Sequence, residues 1–461
     1  MNHTYAIHTL GCKVNTYESD AICEGLEKLG FERRDFSEEA DVYIINTCTV
    51  TNVADKKSRQ MLHRARKRNP EALIIAAGCY VDAALKNESM KALLSDSSVD
   101  IFVKNEDKKR IPELAAERLM KKKAEPGDEG SFGISSISGH TRAFMKIQDG
   151  CNQFCSYCII PYVRGRIRTR PKEDIVAEAK RLSETGICEL VLSGIHLSSY
   201  GKDLLKREAE HKEGDPSEGS RRMSDDILSG PDAPLIDVVR ELDRIPGIKR
   251  IRLGSLEPRL MTEGFVRELS KCEKLCPAFH LSLQSGSDTV LKRMNRHYTT
   301  EDYERCCGLL RKYFDDPSIT TDIIVGFPGE TEKEFCETQE FMKRIGFYEA
   351  NIFKYSRRAG TAADRLPDQI AEEIKAQRSE ELIRIAAELS HAYREKFLGR
   401  RLEILSEEEF ESGGRRYALG HTREYVKCIK ECGTFRHNVL MDGTAKEIFN
   451  EKAMDEYIVL V

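Results

Sequence analysis

Three cysteines, Cys151, Cys155 and Cys158, follow one another as C-x3-C-x2-C inside FMKIQDGCNQFCSYCIIPYVRGRIRTR, residues 144–170. This spacing constrains the chain more than any other feature. A loop so tight lets three thiolates reach one metal centre, yet leaves that centre one ligand short. Structural zinc asks for four ligands, usually from two C-x2-C knuckles, and no second knuckle lies nearby. Iron–sulfur clusters are also normally held by four cysteines, so a triplet implies an iron with an open coordination position.

With Gly150 before it, Tyr157 just ahead of the third cysteine and IIP behind it, the triplet resembles that of the radical S-adenosylmethionine (radical SAM) enzymes. The resemblance implies a 4Fe-4S cluster on Cys151, Cys155 and Cys158 as the catalytic centre. Its open iron chelates the methionyl amine and carboxylate of S-adenosylmethionine, and its electron releases a deoxyadenosyl radical. The cofactor carries that chemistry, and the protein positions the radical and excludes water.

At 461 residues the chain exceeds one ordinary core, and two to four domains are expected. A charged content of 33 % with a formal net charge of -4 leaves no overall excess for a polyanion, so nucleic-acid contact must come from local patches. The opening MNHTYAIHTLGCKVN has no cationic stretch leading into a long apolar run, and no segment approaches the roughly 18 apolar residues of a membrane span. Fifteen cysteines without an export signal point to a reducing, cytoplasmic setting in which thiols stay free for metals and chemistry.

Residues 4–11, 41–47 and 72–78 are short apolar or β-branched runs separated by amphipathic helical patterns such as 19–29 and 53–68. That alternation predicts an open parallel α/β sheet. Cys12, Cys48 and Cys79 each come directly after one of the runs, which places them on loops at the carboxyl edge, where such sheets build sites. GCKVNTYES (11–19), INTCTVTNVADKKSR (45–59) and AAGCY (76–80) are similar to the N-terminal domain of the methylthiotransferases. In that family, three such cysteines hold a second 4Fe-4S cluster that relays or carries the sulfur. Lys56, Lys57, Arg59, Arg64, Arg66, Lys67 and Arg68 make the next helix dense in cations, either merely solvated or facing phosphates.

Residues 104–140 turn charged and Gly/Ser-rich and read as an interdomain linker. From about 137 to 367, strand signals running into polar or glycine-bearing loops predict a partial (β/α) barrel with its site at the strands' C-terminal mouth. The resemblance makes Gly194, Ser282, Gln284, Ser285 and Gly326, within the Val325–Gly329 turn, the residues that hold S-adenosylmethionine. GFPGET is not a P-loop, because the Lys-Ser/Thr that would hold phosphate and magnesium is absent. Arg164, Arg166, Arg168 and Arg170 alternate, so an extended backbone would turn all four to one face, toward a polyanion or toward internal acids and cofactor. Residues 206–231 are too polar to order themselves and read as a mobile surface insertion.

Residues 368–394 carry apolar positions at helical spacing and predict one or two connecting helices. Short strands after 395 predict a small antiparallel β-barrel, in which Cys428 and Cys432 are ordinary residues. GHTREYVKC (420–428) resembles the tRNA-gripping C-terminal (TRAM-like) barrel of RNA-modifying enzymes. The domains read from the sequence are therefore 1–116, a linker 117–136, a radical SAM core 137–367, helices 368–394 and an RNA-binding barrel 395–461.

The resemblance thus spans nearly the whole chain. It implies a transferase that adds a methylthio group to the adenine ring of threonylcarbamoyladenosine at position 37, beside the tRNA anticodon, because GCKVNTYES is closest to that branch. Two molecules of S-adenosylmethionine are used per turnover, one giving the methyl and one the radical, with two 4Fe-4S clusters. Partners are the tRNA anticodon stem-loop, a reducing electron donor and a sulfur source, with no membrane, and the enzyme is expected to be a monomer. Rival readings are the same chemistry on isopentenyladenosine or on a ribosomal-protein aspartate, and a non-catalytic iron–sulfur RNA-binding regulator.

Overall fold

Alternating β-branched runs and amphipathic stretches fold as their period asks. The computed structural model describes residues 3–120, 133–135, 141–205, 226–452 and 455–461. Its N-terminal part comprises β1 (Thr4–Thr9), α1 (Lys13–Lys28), β2 (Glu32–Arg33), β3 (Val42–Thr47), α2 (Asn52–Arg68), β4 (Leu73–Gly78), α3 (Cys79–Lys86), β5 (Ile101–Val103) and α4 (Ile111–Met120). The strands form one parallel sheet in the order β2-β1-β3-β4-β5. Every residue of β3 and β4 is buried, as a sheet covered on both faces requires. One face packs Tyr5, Ile44 and Ile75 under Ile22 and Leu26 of α1 and Ile111 and Ala115 of α4. The other packs Tyr43, Ile45 and Ile74 under Leu62 and Ala65 of α2 and Tyr80 and Val81 of α3.

One sequence expectation fails here. The charged run after 104 does not begin a linker: Asn105–Arg110 is 3-10 helix and α4 follows. Ile111, Ala115 and Ala116 recur at helical spacing and bury against the sheet, a signal that the surrounding charges masked. Of the linker read at 117–136, residues 117–120 finish α4, and 121–132 and 136 lie outside the described residues. The described piece 133–135 is tied down, with Ile134 in the central core and Ser135 N donating to Glu24 Oε2 at 2.6 Å.

The middle of the chain adds β6 (Arg142–Asp149), α5 (Ile160–Val163), β7 (Arg168–Thr169), α6 (Lys172–Glu184), β8 (Glu189–Gly194), α7 (Pro234–Asp243), β9 (Arg250–Leu253), α8 (Glu263–Leu269), β10 (Ala278–His280), α9 (Asp288–Arg293), α10 (Thr300–Tyr313), β11 (Ser318–Val325), α11 (Glu332–Ile345) and β12 (Glu349–Lys354). β6-β8-β9 and β10-β11-β12 are parallel, and the short β7 runs antiparallel to β6. Single parallel bridges, Ile251 to Leu275 and Leu256 to Leu281, join the two sets. The sheet therefore curls into the partial barrel that the strand order asks for. Of the insertion read at 206–231, residues 206–225 lie outside the described residues, while Leu228 is buried.

One helix, α12 (Glu372–Glu395), leads to β13 (Arg401–Ser412), β14 (Arg415–His421), β15 (Lys427–Glu431), β16 (Leu440–Lys452) and β17 (Asp455–Leu460). These close a barrel in the order β13-β14-β15-β17-β16, antiparallel except for the β15-β17 pair. Cys428 is one of its core residues, beside Ile404 and Ile458. The barrel docks through arginines: Arg250 Nη1 donates to His421 O at 2.8 Å, and Arg252 donates to the carbonyls of Thr422 and Arg423, each at 2.7 Å.

Candidate active site

The Cys151–Cys158 loop leaves β6 at its carboxyl end, through a turn only glycine can make. Gly150 has φ +70°, and a Cβ there would stand 1.9 Å from Arg166 O. The loop is pinned by Cys151 N donating to Gly165 O (3.1 Å), Ser156 N to Met294 O (2.9 Å) and Ala363 N to Ser156 O (2.7 Å). Its three cysteines line a pocket of about 170 Å³ with Gln153, His196, Glu257, Ser282, Gln284 and Arg296. Arg296 Nη1 donates to Cys155 Sγ at 3.2 Å and its other fork pairs with Glu257 Oε1 at 3.3 Å. Glu257 Oε2 also meets His196 Nε2 (3.0 Å) and accepts from Gln153 Nε2 (2.9 Å). Burial would raise the Glu257 carboxyl, but the His196 hydrogen bond and charge, with Arg296, hold it at about 2.

The second trio gathers at the carboxyl edge of the N-terminal sheet. Cys12 caps α1, Cys48 follows β3 and Cys79 opens α3. Gly11, at φ +108°, lies so close that a Cβ would meet the Cys48 Cβ at 3.0 Å. Asn15 Nδ2 clamps the two loops by donating to Leu10 O (2.6 Å) and Thr47 O (3.1 Å). Cys79 packs on Ile159 and Val163, which directly follow the other trio. The loop that follows the first trio is thus packed against one cysteine of the second. Cys12 reaches a larger cavity of about 470 Å³ at the barrel mouth, which shares Ser255 with the smaller pocket.

The donor chemistry of both trios suits a soft, electron-poor centre. Burial pushes the thiols of Cys48 and Cys151 up to about 11 and that of Cys158 to about 12, with the neighbouring cysteines adding to each rise. Only a bound cation would draw such groups into the thiolate form at neutral pH. Among the described residues, no three His, Cys, Asp or Glu groups are set closely enough to chelate a single metal ion.

The other site residues read from the sequence divide. Ser282 and Gln284 line the smaller pocket and Gly194 the larger cavity. Gln284 has φ +71°, a conformation costly for a residue with a side chain. It is held there by Gln284 N donating to Asp322 O and Ile324 N donating to Gln284 O, both 2.9 Å. Ser285 and Gly326 line neither. Ser285 is buried against α11, where its hydroxyl stands 3.4 Å from Thr338 Oγ1, and Gly326 lies under Lys375, its N–H bonded to Glu330.

The four alternating arginines do not share a face. Arg164 ends α5 and is fully buried, with Nη1 donating to Glu18 Oε1 (3.0 Å) and Asp149 Oδ1 (3.2 Å) and Nη2 to Glu18 Oε2 (3.1 Å). Arg170 pairs with Glu178, and Arg166 lies over the Phe154 ring at 4.6 Å. Only Arg168–Thr169 is strand, so the extended backbone that would align them is missing. Gln153, His196, Glu257 and Arg296 went unread because they come from separate loops that only the curled sheet brings together.

Comparison with known proteins gives the family. Residues 145–342 match the Radical SAM superfamily and residues 4–103 match Uncharacterized protein family UPF0004. The threonylcarbamoyladenosine tRNA methylthiotransferase MtaB of Bacillus subtilis is 38% identical over 440 residues, covering 92% of this chain and 90% of that protein. A tRNA-2-methylthio-N(6)-dimethylallyladenosine synthase of Caldicellulosiruptor saccharolyticus is 35% identical over 417 residues, covering 88% and 82%. Among solved structures, the radical S-adenosylmethionine methyltransferase TsrM of Kitasatospora setae superposes with a TM-score of 0.51 at 15% identity, covering 79% of this chain and 74% of that one, a likeness of fold.

Proposed function

We propose that this chain, which belongs to the methylthiotransferase family of radical S-adenosylmethionine enzymes, adds a methylthio group to the adenine ring of threonylcarbamoyladenosine in tRNA. Its cofactors are S-adenosylmethionine and 4Fe-4S clusters. The observation that supports the division of labour is the nearness of the two trios: Cys79 packs on Ile159 and Val163 just beyond the first trio, and Cys12 lines a cavity that shares Ser255 with the pocket lined by Cys151, Cys155 and Cys158.

We assign Cys151, Cys155 and Cys158 to the radical-generating cluster and Cys12, Cys48 and Cys79 to the sulfur-handling one. When bound, these groups supply one-electron cleavage of the sulfonium and carriage of sulfur. The chain's own residues orient and shield. Arg296 donates to Cys155 Sγ and is itself fixed by Glu257, so the loop's geometry is set before any ligand enters. Ser282, Gln284 and Gly194 are the candidates to hold S-adenosylmethionine, with Gln284 aimed by its constrained backbone. Phe144, Val191, Leu253 and Phe279 give part of the larger cavity an apolar lining on which a base can pack, beside charged and polar groups on the rest of its wall. A purine reaches such a cavity only if splayed from its stack, which an anticodon-loop base allows at small cost. The reading also requires an electron donor and a sulfur source, and it places the enzyme in the cytoplasm, where its tRNA substrate is found.

Single cysteine variants test the assignment in anaerobically reconstituted protein. Cys155→Ala should abolish deoxyadenosine formation and lose about half of the iron. Cys48→Ala should keep S-adenosylmethionine cleavage measurable while ending methylthio insertion, scored by nucleoside analysis of tRNA. Equal loss of both activities in both variants contradicts the division.

A further inference from the structure

The larger cavity holds a cation, Lys13, that no carboxylate approaches closely enough to pair with among the described residues, although Asp322 and Glu349 also line the wall and Asp322 acts on it from beyond ion-pair distance. Its other basic residues are engaged. Arg142 donates from Nε to Glu189 Oε1 (2.7 Å), from Nη1 to Tyr425 OH (3.1 Å) and from Nη2 to Glu407. Arg252 is committed to Glu189 and to two carbonyls of the C-terminal barrel. His280 sits between Thr320 Oγ1 (3.0 Å) and Asp322 (3.4 Å), and Asp322 also accepts from Asn351 Nδ2 (3.0 Å). Tyr425 is stacked on His421 with centroids 4.2 Å apart and lies under both arginines, so it is a wall with its faces occupied. Of the basic residues lining the cavity, Lys13 alone makes no hydrogen bond or ion pair among the described residues, its ammonium standing 5.9 Å from the centre of the Phe144 ring.

We infer that Lys13 is the specificity residue for the N6 arm of the target adenine, binding the carboxylate in which a threonylcarbamoyl group ends. This deepens the function proposed above and rests on it. C2 and C6 of adenine flank N1, so an arm on N6 leaves the ring along the same edge as C2, where the methylthio group is added. A residue next in sequence to the sulfur-handling Cys12 is therefore placed to meet that arm. Arg142 and Arg252, each already paired, repel the Lys13 ammonium while Asp322 offsets them only in part, an arrangement that an incoming anion relieves. An uncharged dimethylallyl arm would instead cover the ammonium without pairing it, a cost that discriminates against the wrong base.

The test uses the full-length, anaerobically reconstituted holoenzyme and anticodon stem-loops carrying threonylcarbamoyladenosine, its terminal primary amide, or plain adenosine. Wild type should bind the acid at least about tenfold more tightly than the amide, the usual scale of a charge-assisted hydrogen bond. Lys13→Gln should lose that preference while holding the plain loop within about twofold of wild type, and Lys13→Arg should restore most of it. Iron content and deoxyadenosine release should stay at wild-type values in both variants. A wild type indifferent to acid or amide overturns the inference without recourse to any variant, as does a Lys13→Gln protein that loses acid and plain loops equally, which marks a phosphate-binding role. Failure of the parent reading is told apart by product: wild type would then leave threonylcarbamoyladenosine tRNA unmethylthiolated.

Discussion

At the scale of single residues, the relation between the two cysteine trios depends on a buried charge cluster. Arg164, just after one trio, and Glu18, on the helix capped by Cys12, meet at 3.0 and 3.1 Å, while Lys108 (2.6 Å) and Lys146 (2.8 Å) close on the same carboxylate. Burial alone would raise the Glu18 carboxyl, but Lys108 and Arg164 hold it well below the usual range. Glu18→Gln or Arg164→Met would each leave uncompensated charge in the interior, and thermal unfolding should report a loss of about 3–5 kcal/mol. Gly150→Ala should lower bound iron, because a methyl group has no room beside Arg166 O. The sequence could announce Gly150 and six cysteines, since spacing and glycine are local signals. It could not announce Glu18 as the partner of Arg164, because 146 residues separate them and only the packing of two domains joins them.

At the scale of elements, strand and helix periods were legible wherever one face is buried. β1, β3 and β4, with α1 and α2, fall where the apolar runs and amphipathic stretches placed them. α4 was obscured by its charged approach, and the shared face read for the arginine run fails for want of an extended backbone, whereas its other reading, pairing with internal acids, holds for Arg164, Arg168 and Arg170. The basic helix α2 resolves in part: Arg66 pairs with Asp100 and Arg68 bonds to Phe36 O, whereas Lys56, Lys57, Arg64 and Lys67 are exposed. Its start is fastened to the central barrel by Arg358, which donates to Asp55 Oδ2 (2.7 Å) and to Thr49 Oγ1 beside Cys48 (2.6 Å). If these cations meet tRNA phosphates, Lys57→Ser with Arg64→Ser should weaken every tRNA alike. The slope of log affinity on log salt should then shrink by roughly 1 for each cation–phosphate pair removed, as read by filter binding.

At the scale of the whole molecule, the C-terminal barrel is a structural member of the cavity, to which it contributes Tyr425. Glu189, fully buried, is the charge on which its docking arginines converge: burial would raise its carboxyl, yet Arg252 and Arg142 hold it at about 2 against an ordinary 4.5. Because the folded value is the lower one, the stabilisation is complete above about 4.5 and is lost as pH falls toward about 2. It amounts to about 3 kcal/mol. Glu189→Gln should therefore lower the thermal midpoint near neutrality and flatten its fall in that acid window, as calorimetry would show.

Tyr425, the wall piece that this barrel inserts over the cavity, carries a consequence for how the protein is made. It leaves the ribosome about 267 residues after Cys158, which at ordinary elongation is roughly 15–50 s later. On the cluster assignment proposed above, every cysteine of both trios is then synthesised before the wall of the Cys12 cavity is complete, so iron loaded on that trio during translation would meet one obstacle fewer than iron loaded afterwards.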